Sequence, residues 1–132
     1  MKKALVVDDT LIEVSNWCRV IRKLFREAGI FLDFVTSADA GVATVKNCHY
    51  DIVFMDGTFL LSGEDDDKEI LSDVQGVDAI RAIRSFSLIP IIMISASDQL
   101  KEKGLAAGAN GAVEKSNMQG WLAEAKKLIQ PQ

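Results

Sequence analysis

Short apolar runs alternate with amphipathic stretches along the chain, and each change of period marks a change of element. Residues 4 to 8 are a β-branched run of strand length. Beyond it Val14, Trp17, Ile21, Leu24, Phe25 and Ala28 recur at helical spacing, and Gly29 is placed to end that helix. A second strand is predicted at about 31 to 36, followed by Ser37 as the N-cap of a helix reaching about Asn47, in which Gly41 lowers the helical propensity. Residues 52 to 55 are apolar at every position, the pattern of a central parallel strand covered on both faces. Val77, Ile80, Ala82, Ile83 and Arg84 predict a third helix, Pro90 opens a fourth strand, and Asp98–Ala107 form a shorter helix ended by Gly108. Gly111–Val113 make a brief fifth strand, and Met118, Trp121, Leu122, Ala125, Leu128 and Ile129 share one face of the last helix.

Five strands alternating with five helices imply right-handed crossovers and a doubly wound α/β fold, with helices on both faces of a parallel sheet. No repeat or linker interrupts the order, so residues 1–132 are expected to form one domain. The compositional break is the stretch 57–75, where six acids gather between the third strand and its helix.

At 132 residues and 48% apolar content, the chain is able to build a core without disulfides or structural metal. Fifteen basic residues against nineteen acidic ones give a formal charge of −4, which supplies no basic footprint for nucleic acid. No apolar run approaches the roughly 20 residues that span a bilayer, and Met1, Lys2 and Lys3 lead into a strand rather than a signal peptide, so a cytoplasmic protein without membrane contact is expected. Cys18 and Cys48 lack CxxC spacing and read as small buried hydrophobes, His49 reads as a surface loop residue, and Trp17 and Trp121 read as core.

Candidate chemistry lies where the strands stop. ALVVDD ends at Asp8 and Asp9, DIVFMD at Asp56, PIIMIS at Ser95, and GAVEK at Lys115. In an open parallel sheet these ends share one edge, where such folds place ligands. Three carboxylates there repel one another, and a divalent cation together with the Lys115 ammonium balances their −3. Oxygen donors without His or thiolate suit Mg2+. A carboxylate beside such an ion is a competent nucleophile toward phosphorus, and Ser95 is placed to donate a hydrogen bond to a phosphoryl oxygen. Each residue alone has an ordinary explanation as a cap, a solvated Lys or a turn Ser; their joint occurrence at the ends of four strands favours the shared site.

With VVDD, IVFMD, ISAS and GANGAVEK in view, the chain resembles a bacterial two-component response-regulator receiver domain, similar to the single-domain chemotaxis regulators, over nearly its whole length. The resemblance implies a flavodoxin-like five-stranded sheet with strand order 2-1-3-4-5. It implies that Asp56 is a phosphoacceptor, taking a phosphoryl group from a phosphohistidine on a sensor histidine kinase or histidine phosphotransfer protein. Asp9 would ligate Mg2+ directly, Asp8 largely through water, and Thr58 through its backbone carbonyl. Lys115 would pair with Asp56 and then with the phosphoryl oxygens. The family also hydrolyses its own acyl phosphate, which implies a timed signalling switch acting through protein contacts more than an enzyme.

Three features depart from the family's pattern. An acidic insertion at about 58–75 delays the Gly that usually follows the acceptor until Gly76, and roughly a dozen extra residues suggest a functional or disordered segment. Its Asp65, Asp67 and Glu69 alternate like a calcium loop, but Ile70 and Gly76 stand where that loop needs Gly and Glu. Ala112 stands where Tyr or Phe is common, so an output is expected through the loop before the fourth helix or through the insertion. Ser116 follows Lys115 where a cis proline is usual, and a cis bond there would cost about 3 kcal/mol.

Two rival functions remain to be weighed. Met55-Asp56-Gly57-Thr58 echoes the nucleophile motif of haloacid-dehalogenase phosphatases, but Thr58 and Phe54 occupy the positions where a second acid is required. A receiver-fold docking module with phosphorylation dispensable is the stronger alternative. If the acidic insertion selects the phosphodonor by repulsion and docking, deleting residues 60 to 72 changes the relative transfer rates from different donors. Transfer kinetics unchanged for every donor would exclude that role.

Overall fold

The computed structural model describes residues 1–8, 16–57, 59–61, 70–72 and 75–129. Among these residues seven strands and five helices follow in the order β1 (Lys2–Val7), α1 (Asn16–Glu27), β2 (Ile30–Val35), α2 (Ala38–Asn47), β3 (Ile52–Asp56), β4 (Phe59–Leu61), β5 (Ile70–Ser72), α3 (Gln75–Arg84), β6 (Ile91–Ile94), α4 (Asp98–Ala107), β7 (Gly111–Val113) and α5 (Met118–Ile129). Five of the strands make one parallel sheet in the order β2-β1-β3-β6-β7, which is the expected 2-1-3-4-5 counted along its own members.

The uniformly apolar strands follow from burial on both faces. Leu5, Val7, Val53, Met55, Ile91 and Met93 project into a core shared with α2, α3 and α4. Their neighbours Ala4, Val6, Ile52, Phe54, Ile92 and Ile94 project the other way, against α1 and α5. A period of two in side-chain direction combined with two apolar layers leaves no polar position until the strands end.

Two helix boundaries were written plainly in the sequence. Ser37 caps α2, its hydroxyl accepting from the Ala40 amide at 3.1 Å. Gly108 ends α4 at φ 119°, a left-handed conformation open to glycine, and its amide donates to the Gly104 and Leu105 carbonyls.

Two elements were not expected. β4 and β5 pair antiparallel, with Phe59 opposite Ser72, Leu60 opposite Leu71 and Leu61 opposite Ile70, so the ends of the acidic insertion form a two-stranded ladder outside the main sheet. Residues 62–69 and Val14 lie outside the described residues. Cys48 is a correction to the sequence reading. Cys18 is buried in α1, but Cys48 is exposed, because it is the residue that closes α2, with extended φ and ψ and its amide bonded to Thr44.

At the amino ends of the strands, Arg84 ties three segments together. Its Nε donates to the Gly108 carbonyl at 2.8 Å, Nη1 to the Ile89 carbonyl at 2.6 Å, and Nη2 to the Asn110 side chain at 2.7 Å. The same Asn110 oxygen accepts from the Ile91 amide at 2.9 Å, fixing the start of β6. Partial burial pulls the Arg84 pKa down. Replacing Arg84 with Met keeps much of the aliphatic stem and strands these carbonyls. We expect it to lower unfolding free energy by about 2 kcal/mol in urea titrations.

Candidate functional site

The site grows out of strand register. Val6 lies beside Phe54 and Val7 beside Met55, so the next residues, Asp8 and Asp56, reach the carboxyl edge side by side. Both continue the set of side chains that faces α1 and α5, two positions beyond Val6 and Phe54. Val113 belongs to the same layer, and Lys115 follows it by two residues at the end of β7. Matching parity on three strands therefore directs two acids and one base to a common point.

There Lys115 Nζ lies 2.9 Å from Asp8 Oδ2 and 3.2 Å from Asp56 Oδ2. It also donates to Asp8 Oδ1 at 3.2 Å. Both acids are buried, Asp8 at 1% and Asp56 at 2% exposure. Burial alone lowers the Lys115 pKa, but the attraction of Asp8 and then Asp56, with hydrogen bonds to both, outweighs it and raises the pKa. Lys115 is therefore an ammonium throughout the physiological range.

Two buried carboxylates thus meet at the Lys115 ammonium. Oxygen donors at the ends of adjacent strands are the set a hard divalent cation uses, and Asp8 and Asp56 fit Mg2+ on that chemistry. Asp9 and Thr58, the other expected metal ligands, lie outside the described residues.

Ser95 follows β6, which pairs Ile94 with Asp56, and it is 3% exposed. Its amide bonds the Val113 carbonyl at 3.1 Å, and its Oγ accepts from the Ser97 amide at 2.9 Å. A hydroxyl oriented by accepting a bond keeps its proton to donate. Ser97 in turn caps α4, accepting from the Leu100 amide.

Two contacts at the site were not anticipated. A Cβ on Gly76, in the first turn of α3, would lie 2.1 Å from the Asp56 carbonyl oxygen, so only glycine lets α3 approach the end of β3 this closely. The delayed glycine after the insertion was visible in the sequence; its contact was not. Lys101 also reaches across from α4 to Glu114 at 2.6 Å, bracing the residue before Lys115. Among the described residues no peptide bond is cis, so Lys115 and Ser116 are joined in trans. Ala112 is half-buried against the core of the α2, α3 and α4 layer.

No family model matches the sequence, and no curated protein matches it. Solved structures do. A two-component response regulator from Clostridium difficile superposes with a TM-score of 0.73 at 21% identity, covering 98% of this chain and 97% of that one. The chain has the response-regulator receiver fold. Chemotaxis protein CheY4 of Vibrio cholerae matches this receiver fold with a TM-score of 0.70 at 20% identity, over 97% of this chain and 98% of its own. The receiver domain of a sensor histidine kinase from Pseudomonas aeruginosa, described with a magnesium ion coordinated in its active-site cleft, matches with a TM-score of 0.72 at 23% identity, over 98% of both chains.

The Gly76 contact makes a sharp prediction for this receiver fold. Gly76→Ala forces α3 away from the Asp56 backbone, and thermal denaturation should show a loss of about 1–3 kcal/mol, as for overpacked cores. An unchanged midpoint would mean that α3 is free to move at no cost.

Proposed function

We propose that this chain is a phosphoacceptor receiver of a two-component phosphorelay, with Asp56 as the residue that takes the phosphoryl group. The observation that carries the reading is Lys115 Nζ within 3.2 Å of both Asp8 and Asp56, at the carboxyl edge of a receiver fold. An ammonium held against buried acids at this edge is what a site that must neutralise an incoming phosphoryl group needs.

Asp56 contributes a carboxylate oxygen that attacks phosphorus as the P–N bond to the donor imidazole breaks. The imidazole nitrogen keeps that bond's electron pair, and an acyl phosphate forms on Asp56. Lys115 transfers its attraction from the Asp56 carboxylate to the phosphoryl oxygens, and the Ser95 hydroxyl donates to one of them. Asp8 remains as a fixed negative charge that anchors Lys115. Asp8, Asp9, Asp56 and the Thr58 carbonyl would hold Mg2+, which supplies charge neutralisation to the transferring group. Hydrolysis by water later restores the carboxylate and releases inorganic phosphate.

The donor is a phosphohistidine on a sensor histidine kinase or histidine phosphotransfer protein, and the product is a change in protein contacts. No helix among the described residues is long and apolar enough to cross a membrane. The docking reading, in which phosphorylation is dispensable, draws on the acidic insertion and on Ala112 and Ser116 at positions where the resembling domains carry an aromatic residue and proline.

Incubation with acetyl phosphate and Mg2+ separates the two readings. Intact-mass measurement should show one added phosphoryl group on the wild type, none on Asp56→Asn, and none when a chelator is present. A wild type that stays unlabelled would leave the docking reading.

A further inference from the structure

We propose that Trp121 is a positioning residue for Lys115, fixing the turn between β7 and α5 through its indole N–H; this rests on the phosphoacceptor reading above. Trp121 is 0% exposed, and at that burial the indole N–H needs an acceptor. It finds two in the turn itself, the carbonyl of Lys115 at 3.1 Å and that of Glu114 at 3.3 Å.

The ring is itself held in place. Trp121 stacks on Phe54 at 5.0 Å between centroids and 20° between planes, and Trp17 meets it edge-on at 5.2 Å. Phe54 lies two residues before Asp56 on β3. A single rigid side chain therefore connects the strand that carries the acceptor with the main chain that carries the ammonium.

This connection matters because Lys reaches its partners on a flexible four-carbon stem. Where Nζ rests depends on where the Lys115 backbone rests. Ser116 places no ring constraint on the turn after Lys115, so other bonds must hold it. The Trp121 N–H holds it from α5, and the Glu114 side chain, paired with Lys101, holds it from α4. If Trp121 only filled space, Phe in its place would cost stability through the cavity it leaves but would not shift the Lys115 turn. The N–H is the part that a packing role does not use.

The test measures phosphorylation of the full chain by acetyl phosphate at saturating Mg2+ in wild type, Trp121→Phe and Trp17→Phe. Phe at 121 keeps an aromatic face and removes the N–H; Trp17→Phe perturbs the same cluster from α1. We expect Trp121→Phe to lower the maximal labelling rate about tenfold with little change in half-saturating acetyl phosphate, and Trp17→Phe to stay within about twofold of wild type. Equal rates in wild type and Trp121→Phe, or equal slowing in both variants, would overturn the positioning role and leave the phosphoacceptor reading intact. An unlabelled wild type would instead overturn that reading and the positioning role with it. A second measurement needs neither phosphorylation nor a folded Trp121→Phe variant. In 15N-labelled wild type the Trp121 indole N–H should be strongly protected from exchange with solvent deuterium, and free exchange would also overturn the proposal.

Discussion

The architecture is organised around one electrostatic constraint: two carboxylates buried at adjacent strand ends share the Lys115 ammonium. Removing like charges from water is costly unless opposite charge and hydrogen bonds compensate, and the compensation must be held at fixed geometry. That requirement explains why Asp8, Asp56 and Lys115 sit on strands in the same phase, and why the turn carrying Lys115 is bonded from two helices. The sheet supplies rigidity on the acids' side. The base comes from β7, a three-residue strand at the sheet edge, where additional bracing is most needed.

The two ends of the sheet are built for different purposes. At the amino ends Arg84 spends its guanidinium on main-chain carbonyls and on Asn110, closing loops and stiffening the base. At the carboxyl ends the charged groups face one another, with Lys115 between Asp8 and Asp56. The first arrangement satisfies main-chain carbonyls; the second brings buried carboxylates and an ammonium into direct contact.

Much of this was legible in the residues. A parallel sheet writes its strands as unbroken apolar runs, and the point where each run ends in Asp, Ser or Lys is a position on one common rim. Ser37 and Gly108 announced their helix ends because a cap has a local chemistry. What escaped was whatever depends on which partner a residue meets rather than on a local period. β4 and β5 are three residues each, too short for a period to show, and they sit in a stretch dominated by acids. Trp121 was readable as core from its spacing, but helical periodicity concerns the apolar face of a side chain and says nothing of where a buried N–H finds its acceptor. Cys48 read as apolar by residue type, while its place as the closing residue of α2 turned it outward.

The ladder between β4 and β5 has a consequence for how the chain tolerates change. Paired strands leave and return with their Cα atoms about 5 Å apart, so whatever spans the gap starts and finishes at the same doorstep. Growth of such an excursion is thermodynamically cheap, about 0.6 kcal/mol for each doubling of loop length. The stem thus fixes residues 61 and 70 side by side, a geometry that sets no length on the segment joining them.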